Sequence, residues 1–356
     1  MDNLNTSTLQ TNENMSSQIF VEHKLPKTAS YSLLFLISII GNSLIVWVTY
    51  KDHRLRSTTY LLVANMAVSD LLETFVEFPW FIISYNFNRR WLVGNNDFGL
   101  ALCKLTYFFT YISTTVSMQS CFFLAIDRYY AVAHPWKSLS RYKKYIIAGI
   151  WLCSGLLVSP YLYFARLSES NAATYCKIIM IDEYAQYKIY YYFWVSLFVG
   201  INLPLITTLY ILTVCKFRHR RAPGNQTDGA RKRREQQNRR VLKMSVTIVG
   251  LLYLMWLPYY IVKLLREVNA LNHLSRGKID ILAFVVIFIK HFVLITNFFL
   301  YIVYIDIYRD NIKAMITKCC SRLSCCGKCT RSAVQATDEQ ELTSIRIDQP
   351  TCSKKK

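Results

Sequence analysis

The stretch CKLTYFFTYISTTVSMQSCFFLAIDRY, residues 103–129, decides how the rest of the chain is read. It is one long apolar run with a cysteine at one end and Asp127-Arg128-Tyr129 at the other. Twenty-five residues separate Cys103 from Arg128. At helical rise that is roughly 37 Å, enough to cross a bilayer core and enter both headgroup layers. One helix therefore carries a thiol on one side of a membrane and an acid–base pair on the other.

Outward from this span, the apolar residues fall in blocks of about twenty with polar gaps between them, the signature of membrane spans rather than of a soluble core. The expected spans are 28–50, 57–85, the opening helix, 145–164, 187–217, 241–267 and 278–304. The chain has 356 residues, is 53% hydrophobic and carries a net charge of +20. That charge does not mark a nucleic-acid binder. It crowds into alternate gaps, with Lys51, Arg54 and Arg56 after span one, Lys137 to Lys144 after span three, and Arg218 to Arg240 after span five. The positive-inside rule puts those gaps in the cytoplasm, the N-terminus outside and the C-terminus inside. Residues 1–27 lack the apolar core of a cleavable signal peptide, and Asn5 and Asn14 open glycosylation sequons in that outer tail. Residues 306–318 carry Ile307, Tyr308, Ile312, Met315 and Ile316 on one face, which predicts an amphipathic surface helix. The fold class is an all-α membrane protein, a seven-transmembrane helix bundle. It divides into an outer tail (1–27), the bundle (28–304), a surface helix (305–320) and a cytoplasmic tail (321–356).

Taken in order, Gly41-Asn42, Val63-Ala64-Asn65 with Asp70, Asp127-Arg128-Tyr129, Trp151, Pro204, Trp256 with Pro258, and Asn297 with Tyr301 make a specific set. Through them the chain resembles a rhodopsin-like (class A) G-protein-coupled receptor over about 31–320, most like the neuropeptide receptors. The resemblance implies a plasma-membrane receptor that binds an extracellular ligand and activates a heterotrimeric G protein, with arrestin and receptor kinases as further partners. It implies a disulfide between Cys103 and Cys176. It makes Asp127, Arg128, Tyr129, Asn297 and Tyr301 the G-protein switch, and Trp256, Pro258 and Pro204 the activation relay. Departures lie in that relay: Phe298 replaces the proline after Asn297, Leu252 an aromatic, and Leu212 a tyrosine. Loss of the proline restores a backbone donor and removes a kink.

Charged residues inside the spans carry the rest of the functional reading. Asp70, with Ser117 and Asn297, offers oxygen ligands that suit a small cation, and the resemblance implies sodium. The alternative is a polar core without an ion, since Val293 adds no polar group. No organic cofactor is expected. Asp70, Glu73 and Glu77 share one face of span two, and Lys290 lies seven residues before Asn297 on span seven with His291 beside it. Acid and base should meet there, as a ligand pocket or as a packing pair; Glu73–Lys290 is read as packing and Glu77 as ligand contact. At the inner end of span six Arg239, Arg240 and Lys243 dominate, so Arg128 is expected to have only a local lock.

Thr110 stands where aminergic receptors carry an aspartate, which argues against a monoamine. The opsin retinal lysine would fall on His291, one residue from Lys290, and one residue turns a helical side chain by about 100°; a light-sensing or other small-molecule receptor stays as the alternative. A short peptide is the expected ligand, met by Glu73, Glu77, Tyr107, Thr110, Trp256, Tyr259, Lys263, Lys290 and His291, under a short hairpin at 172–182. Cys319 and Cys320 beside Lys318 and Arg322 predict palmitoylation, and the polar tail beyond Arg331 predicts phosphorylation. There is no nucleophile–base pair and no glycine-rich phosphate loop, so no enzyme is expected. A transporter would show the repeats and broken spans that are missing here.

Overall fold

The computed structural model describes residues 24–87, 91, 93–134, 139–170, 173–178, 185–219 and 228–318. Asn5, Asn14, Cys319 and Cys320 lie outside these. The chain divides into two units, Met1–Asp306 and Ile307–Lys356. The described part of the second is a helix ending at residue 318.

Within the first unit six helices are long and apolar enough to cross a membrane: Lys24–Lys51, Asp97–Ala133, Leu139–Phe164, Ile189–Phe217, Arg239–Arg266 and Gly277–Tyr304. They are spans one and three to seven. Span two, Thr58–Asn86, has 29 residues and is long enough as well. Asp70, Glu73 and Glu77 set its composition apart, and acids at that depth need partners inside the bundle.

Two polar knots register the spans. Asn65 Nδ2 donates to Ser120 Oγ at 2.9 Å, and Trp151 Nε1 donates to Asn65 Oδ1 at 2.9 Å, which joins spans two, three and four. Asn42 Nδ2 donates to the Leu294 carbonyl at 3.0 Å and to Ser38 Oγ at 3.1 Å, while Ser38 and Thr74 hydroxyls meet at 2.6 Å, which joins spans one, two and seven. Gly41 lets spans one and seven close up, because a Cβ there would lie 2.6 Å from Phe298 Cγ.

Several elements differ from the sequence-based expectation. Span seven runs over Gly277–Tyr304, with a one-residue interruption of the regular helix at Phe292, between Arg276–His291 and Val293–Tyr304. The interruption does not need the missing proline. Thr296 Oγ1 reaches the carbonyls of Phe292 at 3.1 Å and Val293 at 2.9 Å, and a threonine that captures preceding carbonyls loosens a helix. Span five likewise contains a π-helical stretch, Ser196–Asn202, just before Pro204, whose ring supplies no backbone donor. The helix of span six begins at Asp228 rather than at 241, so residues 231–240 are helix and not loop. The outer hairpin lies earlier than 172–182. Its strands are β1 (Ala165–Ser170) and β2 (Ala173–Ile178), antiparallel with Leu167 opposite Cys176. β1 follows span four without a break, which hid its period-two pattern: Ala165 and Leu167 face one way, onto Trp91, Cys103 and Cys176. The Cys103–Cys176 disulfide holds the hairpin to the outer end of span three, and the Trp91 N–H, which donates to the Thr174 carbonyl at 2.7 Å, ties it to the segment between spans two and three.

Candidate functional site

Three layers of polar residues run through the bundle, from the cytoplasmic end outward. In the innermost, Arg128 Nη2 lies 2.5 Å from Asp127 Oδ2. Adjacent residues on a helix do not normally face each other, so a third group completes the arrangement: Thr59 Oγ1 from span two donates to Asp127 Oδ2 at 2.7 Å and also meets Arg128 Nη2. Thr59 escaped the sequence reading; its position in the first turn of span two, beyond Arg56, was the available signal. Arg240 pairs with Asp306 at the inner ends of spans six and seven. Arg128 thus has the expected local lock in Asp127, and Asp306, which follows span seven, pairs with Arg240 rather than with Arg128. Tyr129 is half-buried, and Tyr301 is fully buried.

The middle layer is Asp70, 1% exposed, whose Oδ2 accepts from Asn297 Nδ2 at 3.0 Å, with Ser117 beside the same carboxylate. Only neutral groups partner it among the described residues.

The outer layer joins spans one, two, three and seven. Lys290 Nζ lies 4.0 Å from Glu73 Oε1 and 3.8 Å from Glu77 Oε1. The expected Glu73–Lys290 pair is present, and the same ammonium also reaches Glu77, which it approaches more closely. His291 Nε2 lies 3.1 Å from Glu77 Oε1, and its Nδ1 lies 3.1 Å from the Tyr31 hydroxyl. Thr114 Oγ1 lies 3.2 Å from Glu73 Oε2. Tyr31 and Thr114 were not singled out in the sequence. Tyr31 sits in an aromatic nest with Phe78, Phe81 and Phe288, which looks like ordinary packing until the hydroxyl is followed to the histidine.

Above this layer is a cavity of about 190 Å³ lined by Glu77, Tyr107, Thr110, Trp256, Tyr259, Lys263 and Lys290. Glu73 and His291 lie outside its lining. Trp256 stacks on Tyr260 with centroids 5.8 Å apart, and Lys290 Nζ sits 5.2 Å from the Trp256 ring centroid. Tyr107 OH donates to the Cys176 carbonyl at 3.4 Å, so the hairpin borders the same cavity. Lys263 Nζ rests 3.7 Å over the Tyr191 ring, a contact that places a second cation at its edge. Pro258 follows Trp256 inside the span-six helix, and Pro204 opens the α-helical part of span five.

Residues 41–301 match the family described as 7 transmembrane receptor (rhodopsin family). The chain belongs to that family. The receptor is therefore a multi-pass membrane protein. It is similar to the substance-K receptor of Bos taurus, 28% identical over 238 residues that cover 66% of this chain and 60% of the relative. A QRFP-like peptide receptor of Branchiostoma floridae is 28% identical over 326 residues, 89% of this chain and 84% of the relative. The RYamide receptor of Drosophila melanogaster is 29% identical over 251 residues, 68% of this chain and 53% of the relative. The receptor thus spans about 60% of the length of the bovine substance-K receptor.

Proposed function

We propose that the receptor binds a short extracellular peptide at the plasma membrane and activates a heterotrimeric G protein through Arg128, with arrestin and receptor kinases acting on its cytoplasmic side. The observation that carries this reading is the cavity itself. It sets Glu77 against Lys290 and Lys263, directly over Trp256 and under the hairpin. Such a cavity can take a ligand with both a basic and an acidic group, as a peptide has, and its tyrosines and tryptophans supply rigid contact area with polar tips. The relatives support the peptide reading, since they include receptors named for substance K, QRFP-like peptides and RYamides.

At the other end, ligand binding releases Arg128 from Asp127 and Thr59 so that its guanidinium meets the G protein. In the middle layer, a buried carboxylate with only neutral partners among the described residues is a fit for a sodium ion, which Asp70, Ser117 and the amide oxygen of Asn297 would hold. The test is a peptide library screened by nucleotide exchange on cells that express the receptor. An agonist found there should lose potency by the worth of a charge-assisted bond, ~1.5–3 kcal/mol or roughly ten- to hundredfold, in Glu77→Gln. Exchange should vanish in Arg128→Ala while the agonist still binds. A library with no active peptide, against a positive response to a small amine or to light, would overturn the peptide reading.

A further inference from the structure

Beneath the floor of the cavity, Glu73, Glu77 and His291 converge from spans two and seven. One oxygen of each carboxylate and one ring nitrogen of the histidine lie within 4.8 Å of one another. We infer that these three side chains form an intramembrane zinc site, at which zinc and the Lys290 ammonium compete for the same two carboxylates.

The histidine is the decisive member. It is 0% exposed, and its Nδ1 is engaged by the Tyr31 hydroxyl at 3.1 Å. Its Nε2 points to the carboxylates yet makes no aligned hydrogen bond, and Glu77 Oε2 also has no donor. An imidazole held at one nitrogen by a neighbouring oxygen, with the other presented to a carboxylate cluster, is how proteins orient a metal-ligating histidine. The charges point the same way. Two buried carboxylates share one lysine, so the second is neutralised by a proton or by another cation. Lys290 holds them loosely, since 3.8 and 4.0 Å exceed the about 2.7–2.9 Å of a tight ammonium–carboxylate bond. It also has a second resting place over the rings of Trp256 and Tyr259, at 5.2 and 5.8 Å.

An ion equidistant from three atoms 4.8 Å apart would sit about 2.8 Å from each, and zinc bonds to carboxylate oxygen and imidazole nitrogen are about 2.0–2.2 Å. Side-chain shifts of well under 1 Å close that gap. A mixed nitrogen and oxygen set selects zinc over calcium or magnesium, which take oxygen ligands. With three protein ligands, one position stays open toward the cavity, so zinc there would oppose a basic ligand group at Glu77.

The test uses the full-length receptor, purified in nanodiscs and stripped with chelator. One zinc ion per receptor by elemental analysis after equilibrium dialysis is expected, together with a zinc-dependent rise in melting temperature. Cobalt in place of zinc should give visible ligand-field bands, a readout that needs no variant. His291→Gln and Glu73→Gln should abolish tight binding. Tyr31→Phe, which removes only the orienting hydroxyl, should weaken it by about 10- to 100-fold. Lys290→Met should strengthen it at least tenfold. A folded wild-type receptor that binds neither metal, equal binding by a folded His291→Gln variant, or weaker binding by Lys290→Met would each overturn the assignment. The outcome is independent of whether the natural agonist is a peptide.

Discussion

Lys290→Met isolates the energetics of the outer polar layer. Methionine keeps the apolar stem and deletes the charge. In the wild type one ammonium faces Glu73 and Glu77, whose side chains are 4% and 12% exposed, at 4.0 and 3.8 Å. A pair of unit charges at that separation attracts by ~4 kcal/mol at an effective dielectric constant of about 20. The loss does not reach twice that, because one carboxylate can take up a proton or the water that enters. Removing one partner of a buried pair costs about 3–5 kcal/mol. At ~2–4 °C per kcal/mol, a scale taken from larger soluble domains, the melting temperature should fall on the order of 6–20 °C. The measurement is a thermal melt of purified receptor in chelator, so that no metal replaces the lysine. Glu73→Gln on the Lys290→Met background should recover about half of the loss, since it removes one of the two stranded charges. A melting temperature within ~1 °C of wild type for Lys290→Met, or a further fall on adding Glu73→Gln, would refute the pairing. Under the zinc assignment, restoring metal to Lys290→Met should raise its melting temperature more than it raises that of the wild type.

Other perturbations act at the remaining layers. Cys176→Ser unties a link across 73 residues of sequence and should lower agonist affinity in a radioligand assay more than it lowers surface expression, because the hairpin borders the cavity while the spans pack without it. Arg240→Gln or Asp306→Asn opens an ion pair whose side chains are 58% and 45% exposed; such pairs are worth ~0–1 kcal/mol, so basal nucleotide exchange should rise by no more than about fivefold. Asn65→Leu strands the Trp151 N–H and removes the donor to Ser120, and should cost ~1–3 kcal/mol in a thermal melt, whereas Trp151→Phe, which removes one of the two bonds, should cost less. Thr59→Val should raise basal exchange, since it deletes the hydroxyl that orients Asp127 toward Arg128.

The span pattern was legible because membrane insertion writes it into local composition: twenty apolar residues and an alternating bias of lysine and arginine need no knowledge of neighbours. Much of the cavity was legible for a related reason. Glu77 and Lys290 are charges inside apolar runs, so each had to find a partner, and helical spacing gave the faces on which they meet. The partners supplied by neutral residues were not legible. Tyr31, Thr59 and Thr114 are unremarkable in an apolar helix, and only the approach of a second helix turns their hydroxyls toward His291, Asp127 and Glu73. Asp306 was hidden differently. Its partner, Arg240, sits in a dense basic run whose charge reads as a topology signal, and the helix that carries it starts well before the membrane.

Phe298 shows how a departure from the family pattern is absorbed. A proline at 298 would leave the Leu294 carbonyl without its intrahelical N–H, and the Asn42 amide would fill that vacancy. Here Phe298 brings the N–H back, yet Asn42 Nδ2 still lies 3.0 Å from the Leu294 carbonyl. A carbonyl has two lone pairs, so both donors can be met. The ring of Phe298 in turn occupies the space that Gly41 leaves open. The inner half of span seven is therefore fastened to span one by an amide and by a ring, and to span two by Asn297 on Asp70. The one irregular residue within the helix is instead Phe292, immediately after Lys290 and His291. The irregular turn of this span thus adjoins the charged layer under the cavity rather than the cytoplasmic end.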